Sequence, residues 1–562
     1  MKVSELPYKR VTIEEAASVM EDVIRRIREA GSADEVLAAR EDYLPLLRDY
    51  MTAASLSYMR YSINTVDEFY VAEKDYYDET GPQFNNYMVA VASALLDSPF
   101  RAELEEKLSP VLFRSLEVAR KSMSEEIIPD MIEENKLVSE YSQLMAGMEF
   151  EFRGEKMPRA VLAGFFKDDD RATRREAYEV LGRTLEQNKA ELDRIFDELV
   201  HVRDRMAKKM GYKNFVELGY YRMGRLCYDE KMVAAFRENI LRDIVPVVSR
   251  LRTENAKRLG VDNYMFYDDG VIIPGGDPRP VGGKENIFAS AREMYHAMSP
   301  ESAAFIDMML ENEAFDVDSR KNKWGGGYCT EFAAYKQPFI LANFNGTAGD
   351  VDVVTHEAGH AFNAYLIADN RFARELACGG METAETHSMS MEFFAWPYMN
   401  SFFGADADKY RYMHALESFS FLPYGTIVDY FQHLVYENPD MTPDERDALW
   451  LRLEGKFRPH ISFEGMPYLE KGTRWQYQMH IYESPFYYID YVLAQTAAFN
   501  FLLASRRDYD DAFARYLRLS KHGGEMVWTD LLEEAGFTPP FVPGALKTLA
   551  GEVESLLGKI RV

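Results

Sequence analysis

The chain has 562 residues, 47% of them hydrophobic, with 65 basic and 92 acidic side chains and a formal charge of −27 at pH 7. That length exceeds one simple unit at the usual ~100–200 residues per domain, and the composition is that of a packed globular protein rather than a disordered one. The acidic balance disfavours nucleic acid and anionic lipid as partners and serves chiefly solubility.

Cys227, Cys329 and Cys378 are far apart and odd in number, which argues against a disulfide framework and a thiolate zinc cluster. The first residues lack the apolar core of a signal peptide, and no run of ~18 apolar residues could span a bilayer. The expected compartment is the cytoplasm.

Helix signals dominate. Thr12 and Glu15 form a capping box, and Ala16, Val19, Met20, Val23, Ile24 and Ile27 follow at helical spacing up to Gly31. Similar stretches run to about residue 145. "EFEFRGEKMP" (149–158) alternates around Arg153-Gly154 and predicts a short hairpin. A long helix resumes with "DDDRATRREAYEV". We divide the chain into an N-terminal helical lobe, 1–190, and a catalytic lobe, 191–562.

"VIIPGGDPRPVGGKENIF" (271–288) reads as loop. Its "GGK" lacks the spacing and following hydroxyl of a phosphate loop. "YCTEFAAY" and "PFILANF" predict a strand pair joined at Lys336-Gln337. The fold class is therefore mainly α, with one small β-sheet directly before the helix of "VDVVTHEAGHAFNAY" (351–365).

On that helix His356 and His360 lie only ~40° apart and one turn displaced, so both imidazoles reach one ion. Neutral imidazole suits zinc, and a catalytic zinc keeps a position open for water. Glu357 lies ~100° round from His356 and flanks the ion as a general base rather than a ligand. Val353, Val354, Ala361 and Phe362 bury the helix, and Gly359 leaves room beside the ion.

Such a site needs a third ligand from another helix. Glu375, Glu382, Glu385, His387 and Glu392 are the candidates. Glu385 and Glu392 are seven apart and share a face, which suits one ligand and one carboxylate that orients a ligand histidine. Glu382 shares that face, and position alone does not separate it from Glu385. His387 points elsewhere.

"HEAGH" followed by "AETHSMSME" resembles the thimet-oligopeptidase and oligoendopeptidase F family of zinc peptidases, in its oligoendopeptidase F-like branch. "PFILANFNGTAGDVDVVTHEAGHAF", "DDDRATRREAYEV" and "SKHGGEMVWTDLLEEAGF" extend the resemblance over about residues 110–545. It implies Glu385 as third ligand, 25 positions beyond His360, with one Zn2+ per chain. It also implies a two-lobed helical clamshell around a deep channel that admits oligopeptides and excludes folded proteins.

"RWQYQMHIYESPFYYIDYVLAQTAAF" (474–499) carries His480 and Tyr477, Tyr482, Tyr487, Tyr488 and Tyr491. The family has a histidine followed by tyrosines here, for substrate binding and transition-state stabilisation. Thimet-type members carry a glycine pair after that histidine, which this chain lacks. His480, Tyr488 and Tyr491 are assigned to catalysis, and Tyr482 and Tyr487 to substrate binding. The edge of "PFILANF" could pair with an extended peptide, and Gly326 and Gly327 would let a backbone approach closely.

These readings converge on a zinc endopeptidase acting on unstructured oligopeptides. A carboxypeptidase or dipeptidyl carboxypeptidase on a related scaffold is the alternative, ahead of an inactive binding protein.

Overall fold

Thr12 Oγ1 accepts from the Glu15 N–H and the Glu15 carboxylate accepts from the Thr12 N–H, so helix Ile13–Glu29 begins with its first donors satisfied. The structure, a computed structural model, describes residues 1–370 and 380–562. Ala16, Met20, Val23, Ile24 and Ile27 are buried, whereas Val19 faces solvent. Helices Ala33–Ile63, Glu68–Leu96, Arg101–Lys107 and Pro110–Ser122 close around the same face, in a core that includes Leu47, Leu95, Leu104 and Leu112.

A second, larger core holds most of the remaining helices. Helix Ala33–Ile63 links the two, because Leu56 and Met59 at its far end belong to the larger one. Helix Arg171–Lys209, capped by Asp170, runs unbroken through the expected lobe boundary at 190/191. The smaller core draws on residues between Ala16 and Phe113, and Val3, Leu6 and Val89 belong to the larger one.

Strands β1 (Phe150–Phe152) and β2 (Glu155–Met157) form the expected hairpin, with Phe152 opposite Glu155. Arg153 and Gly154 both have positive φ, 52° and 84°, as a two-residue turn matched to strand twist requires. The 271–288 loop is shorter than expected, since a helix begins at Gly283 and runs to Met298.

The second sheet contains a strand the sequence pattern does not reveal. Strand β3 is only Phe315–Asp316, β4 is Tyr328–Phe332 and β5 is Gln337–Leu341, in the order β3-β5-β4. β5 is thus central, parallel to β3 and antiparallel to β4, and both of its edges are taken. The outer strands are β3 and β4. The edge of "PFILANF" expected to pair with a peptide is therefore already paired with β3 at Ile340 and Leu341. Thr52 Oγ1 accepts from the Ala334 N–H just past β4, which ties helix Ala33–Ile63 to the sheet.

The chain then enters a continuous helical stretch, Gly349–Asp352, a wider π turn at Val353–Glu357, and Ala358–Ile367. Helix Met381–Phe394 packs against it so closely that a Cβ on Gly359 would lie 2.7 Å from Ser388 Cα. Gly359 makes room for this helix rather than for an ion. Helix Tyr488–Ser505 packs behind, and at Gly425 of helix Ala407–Glu437 a Cβ would meet Val492 Cγ2 at 2.3 Å. No described helix is long and apolar enough to cross a membrane.

Fully buried Arg203 joins four segments of this assembly. It donates to Glu134 Oε1 at 2.7 Å, to the Tyr436 hydroxyl at 2.8 Å and to the Tyr482 carbonyl at 2.5 Å. Removing one member of a buried ion pair leaves desolvated charge behind, so Arg203→Ala is expected to cost about 3 kcal/mol. Urea midpoints followed by circular dichroism measure this, and an unchanged midpoint would show that Arg203 does not fasten these segments.

Candidate active site

The helix pair brings His356, His360 and Glu385 together. Glu385 Oε2 lies 3.5 Å from His356 Nε2 and 3.6 Å from His360 Nε2. Two ligands at ~2.1 Å in a tetrahedral zinc site stand about 3.4 Å apart, so these spacings fit a metal without rearrangement. The three are the one such metal-compatible group among the described residues. Glu357 is outside it. That carboxylate lies near Cys329 of β4 and near Tyr491: burial raises both their pKa values, and the negative charge of Glu357 raises them further.

Glu392, seven residues beyond Glu385, also meets His356. It takes His356 Nδ1 on Oε1 at 2.5 Å, which leaves Nε2 of that imidazole facing the ligand cluster. Its other oxygen, Oε2, meets His414 Nε2 at 2.6 Å. Trp396 Nε1 donates to His414 Nδ1 at 2.9 Å. An indole N–H can only donate, so His414 carries its own proton on Nε2 and gives it to Glu392. Burial alone would raise the Glu392 pKa, but the two imidazoles outweigh it and hold it at about 2. Burial likewise opposes charge on His356, and Glu392 together with Glu385 overrides it, holding His356 near 10.

The remaining acidic and histidine candidates separate cleanly. Glu382 is buried away from the histidines, where burial and the neighbouring Asp490 charge push it up to about 8. His387 turns its Nδ1 to Ser520 Oγ at 3.1 Å, and burial lowers it to about 3. Glu375 and Cys378 lie outside the described residues.

The tyrosine segment divides in two. Tyr487 donates its hydroxyl to Glu385 Oε1 at 2.7 Å, opposite the oxygen that faces the histidines. Tyr488 and Tyr491 flank His480, with ring centroids 4.9 and 6.0 Å from the imidazole. Tyr482 instead lies wholly in the core, stacked on Tyr141 at 3.9 Å, with its hydroxyl donated to the Leu192 carbonyl. Its ring cannot reach a substrate, because neighbouring side chains enclose it on every face. Gly326 and Gly327 also serve internal contacts: a Cβ on the first would strike the Trp324 ring, and one on the second would press on Leu341 O at 3.4 Å.

Two residues the sequence reading did not single out set the state of His480. Tyr424 donates to Gln478 Oε1 at 2.6 Å, which turns the amide nitrogen of Gln478 to His480 Nδ1 at 3.0 Å. Nδ1 is then an acceptor, and the imidazole proton sits on Nε2. Burial lowers the His480 pKa, a shift the Glu385 charge only partly opposes. The imidazole is thus a neutral donor. No spacing rule points to Gln478 or Tyr424; only the fold does.

The arrangement has relatives. The description "Peptidase family M3" matches residues 165–270 and 291–551, and "Peptidase M3 N-terminal domain" matches residues 3–123. An X-ray structure named as an oligoendopeptidase F is 42% identical, with a TM-score of 0.94, over 100% of this chain and 99% of its own. PZ peptidase A, solved with an inhibitor, is 41% identical with a TM-score of 0.94 over 100% and 99%. Oligopeptidase PepF of Bacillus subtilis (strain 168) is 23% identical over 419 residues, 71% of this chain, and the match spans 59% of that relative's length. With most of its length matched by the family description, and a ligand cluster assembled from the motif itself, the chain belongs to peptidase family M3.

Proposed function

We propose that this chain is a zinc endopeptidase that hydrolyses internal bonds of short, unstructured oligopeptides, with one zinc ion held by His356, His360 and Glu385. The observation that carries this reading is the convergence of those three side chains with Glu357 beside them and outside the set. A zinc ion bound there supplies a Lewis acid that polarises the scissile carbonyl and makes water acidic. Glu357 takes the proton of the attacking water and later passes it to the leaving amine. His480 donates from Nε2 to the oxygen that becomes negative, and Tyr488 and Tyr491 are placed to assist, each such donor being worth roughly 3–4 kcal/mol. Tyr487 steadies the carboxylate of Glu385.

The peptide is held by the open edge of β4, which runs past Glu357 at Cys329. Pairing through backbone groups reads main chain more than side chains, so sequence tolerance is broad. Gly326 and Gly327 lie just before that strand. A channel between helical lobes, as in the resembling family, would exclude folded proteins.

Glu357→Gln is expected to keep one zinc per chain and lower kcat by about 10³ or more, at the upper range of general-base effects. A quenched internal peptide measures turnover, and cleavage at the native rate would remove Glu357 from the mechanism. Glu392→Gln is expected to weaken zinc ~10–100-fold, as loss of a partner that orients a ligand histidine does. Competition with a chromogenic chelator reads it, and unaltered affinity would show that His356 needs no such partner. Amidating the carboxyl end of the substrate is expected to leave internal cleavage intact by mass spectrometry. Abolished cleavage would instead identify a carboxypeptidase.

A further inference from the structure

Phe486 has φ +68°, in the left-handed region that large side chains rarely enter. Four other described non-glycine residues share a positive φ, namely Arg153, Glu313, Asn322 and Lys336, and all four are exposed. Phe486 alone is fully buried. Such a conformation persists only where its surroundings over-determine it, and it gathers at working sites.

The surroundings are specific. In helix Phe215–Arg222 a Cβ on Gly219 would lie 2.6 and 2.7 Å from two carbons of the Phe486 ring. Tyr220, His433 and Tyr436 enclose the same ring, with centroids at 5.6, 5.0 and 5.4 Å, so it cannot retreat. The Phe486 N–H donates to Gln432 Oε1 at 3.0 Å, and Arg225 Nη2 donates to the Phe486 carbonyl at 2.5 Å. Arg225 also reaches Asp490 at 3.4 Å, and Tyr228 donates to that carboxylate. The stretch 219–228 thus grips the chain at 486 and again at 490. Between the two grips lies Tyr487, with its hydroxyl on Glu385 Oε1.

We infer that Gly219 and Phe486 are positioning residues for the metal site: the hole at Gly219 locks the left-handed peptide of Phe486, and this aims Tyr487 at Glu385. Neither residue touches zinc or substrate. The inference rests on the proposed reading of His356, His360 and Glu385 as zinc ligands.

The test is a double-mutant cycle on zinc affinity, measured by chelator competition without any peptide. Gly219→Ala puts the forbidden Cβ against the ring, while suiting the helix that carries it. Gly219→Ala and Tyr487→Phe are each expected to weaken zinc about tenfold, the lower range for partners of a ligand. The double variant is expected to bind no more weakly than Tyr487→Phe alone, because the two changes act through one contact. Unchanged affinity in Gly219→Ala, or a hundredfold loss in the double variant, would overturn the inference and leave Gly219 a packing residue only.

Gln432→Leu removes the acceptor of the Phe486 N–H without entering the hole, and it takes the place of Gly219→Ala should that variant not fold. The same non-additivity is expected, with the same overturning results. Wild-type protein that takes up no zinc would defeat the parent reading. Wild-type protein that binds zinc beside an unaffected variant would defeat this inference alone.

Discussion

The absence of a side chain at Gly359 is the constraint on which the site rests. Helices Ala358–Ile367 and Met381–Phe394 approach until only hydrogen atoms separate Gly359 from the Ser388 backbone. At that separation a carboxylate one turn earlier on the second helix, Glu385, reaches both imidazoles of the first. A methyl group at 359 would push the helices apart by more than the tolerance of a metal-ligand bond, which is a few tenths of an ångström. Everything else at the site refines a distance that this contact sets.

The refinement is electrostatic. Three side chains that could hold a dication concentrate polar groups at one point, and a low-dielectric surrounding amplifies their fields. The chain supplies partners on the far side of two of the three, His356 and Glu385. Glu392 engages His356, Tyr487 engages Glu385, and the indole of Trp396 fixes the tautomer of His414 behind Glu392. These groups hold the ligand rings and carboxylate in one orientation, so binding requires little reorganisation. Opposite them, Gln478 applies the same logic to His480 and leaves its proton toward the open side.

The parts legible in the sequence are those governed by local periodicity. His356 and His360 at i and i+4, the seven-residue offset of Glu385 and Glu392, the capping box at Thr12 and the turn at Arg153-Gly154 all follow from rules spanning fewer than ten residues. Features that depend on long-range packing were not legible. Strand β3 is two residues long, too short for any alternation, yet it converts β5 from an edge into a centre. Tyr482 and Tyr487 are equally aromatic and follow His480 in the same short segment, and only packing sends one to Tyr141 and the other to Glu385. His414 and Tyr424 sit on a distant helix whose approach no local pattern encodes.

The wide turn at Val353–Glu357 places the site under the control of chain length as well as chemistry. A π turn accommodates one residue more than an α turn, so the stretch upstream is rotated relative to the ligand histidines. That offset lets Asp352 accept from Tyr410 at 2.7 Å while His356 meets Glu392 a turn later. Shortening the turn by a single residue would swing one of these partners round by ~100°. Substitutions at Val353 or Val354 leave the phase as it is, whereas a deletion shifts it and no later substitution restores it, so the length of this segment binds the site more tightly than its side chains do.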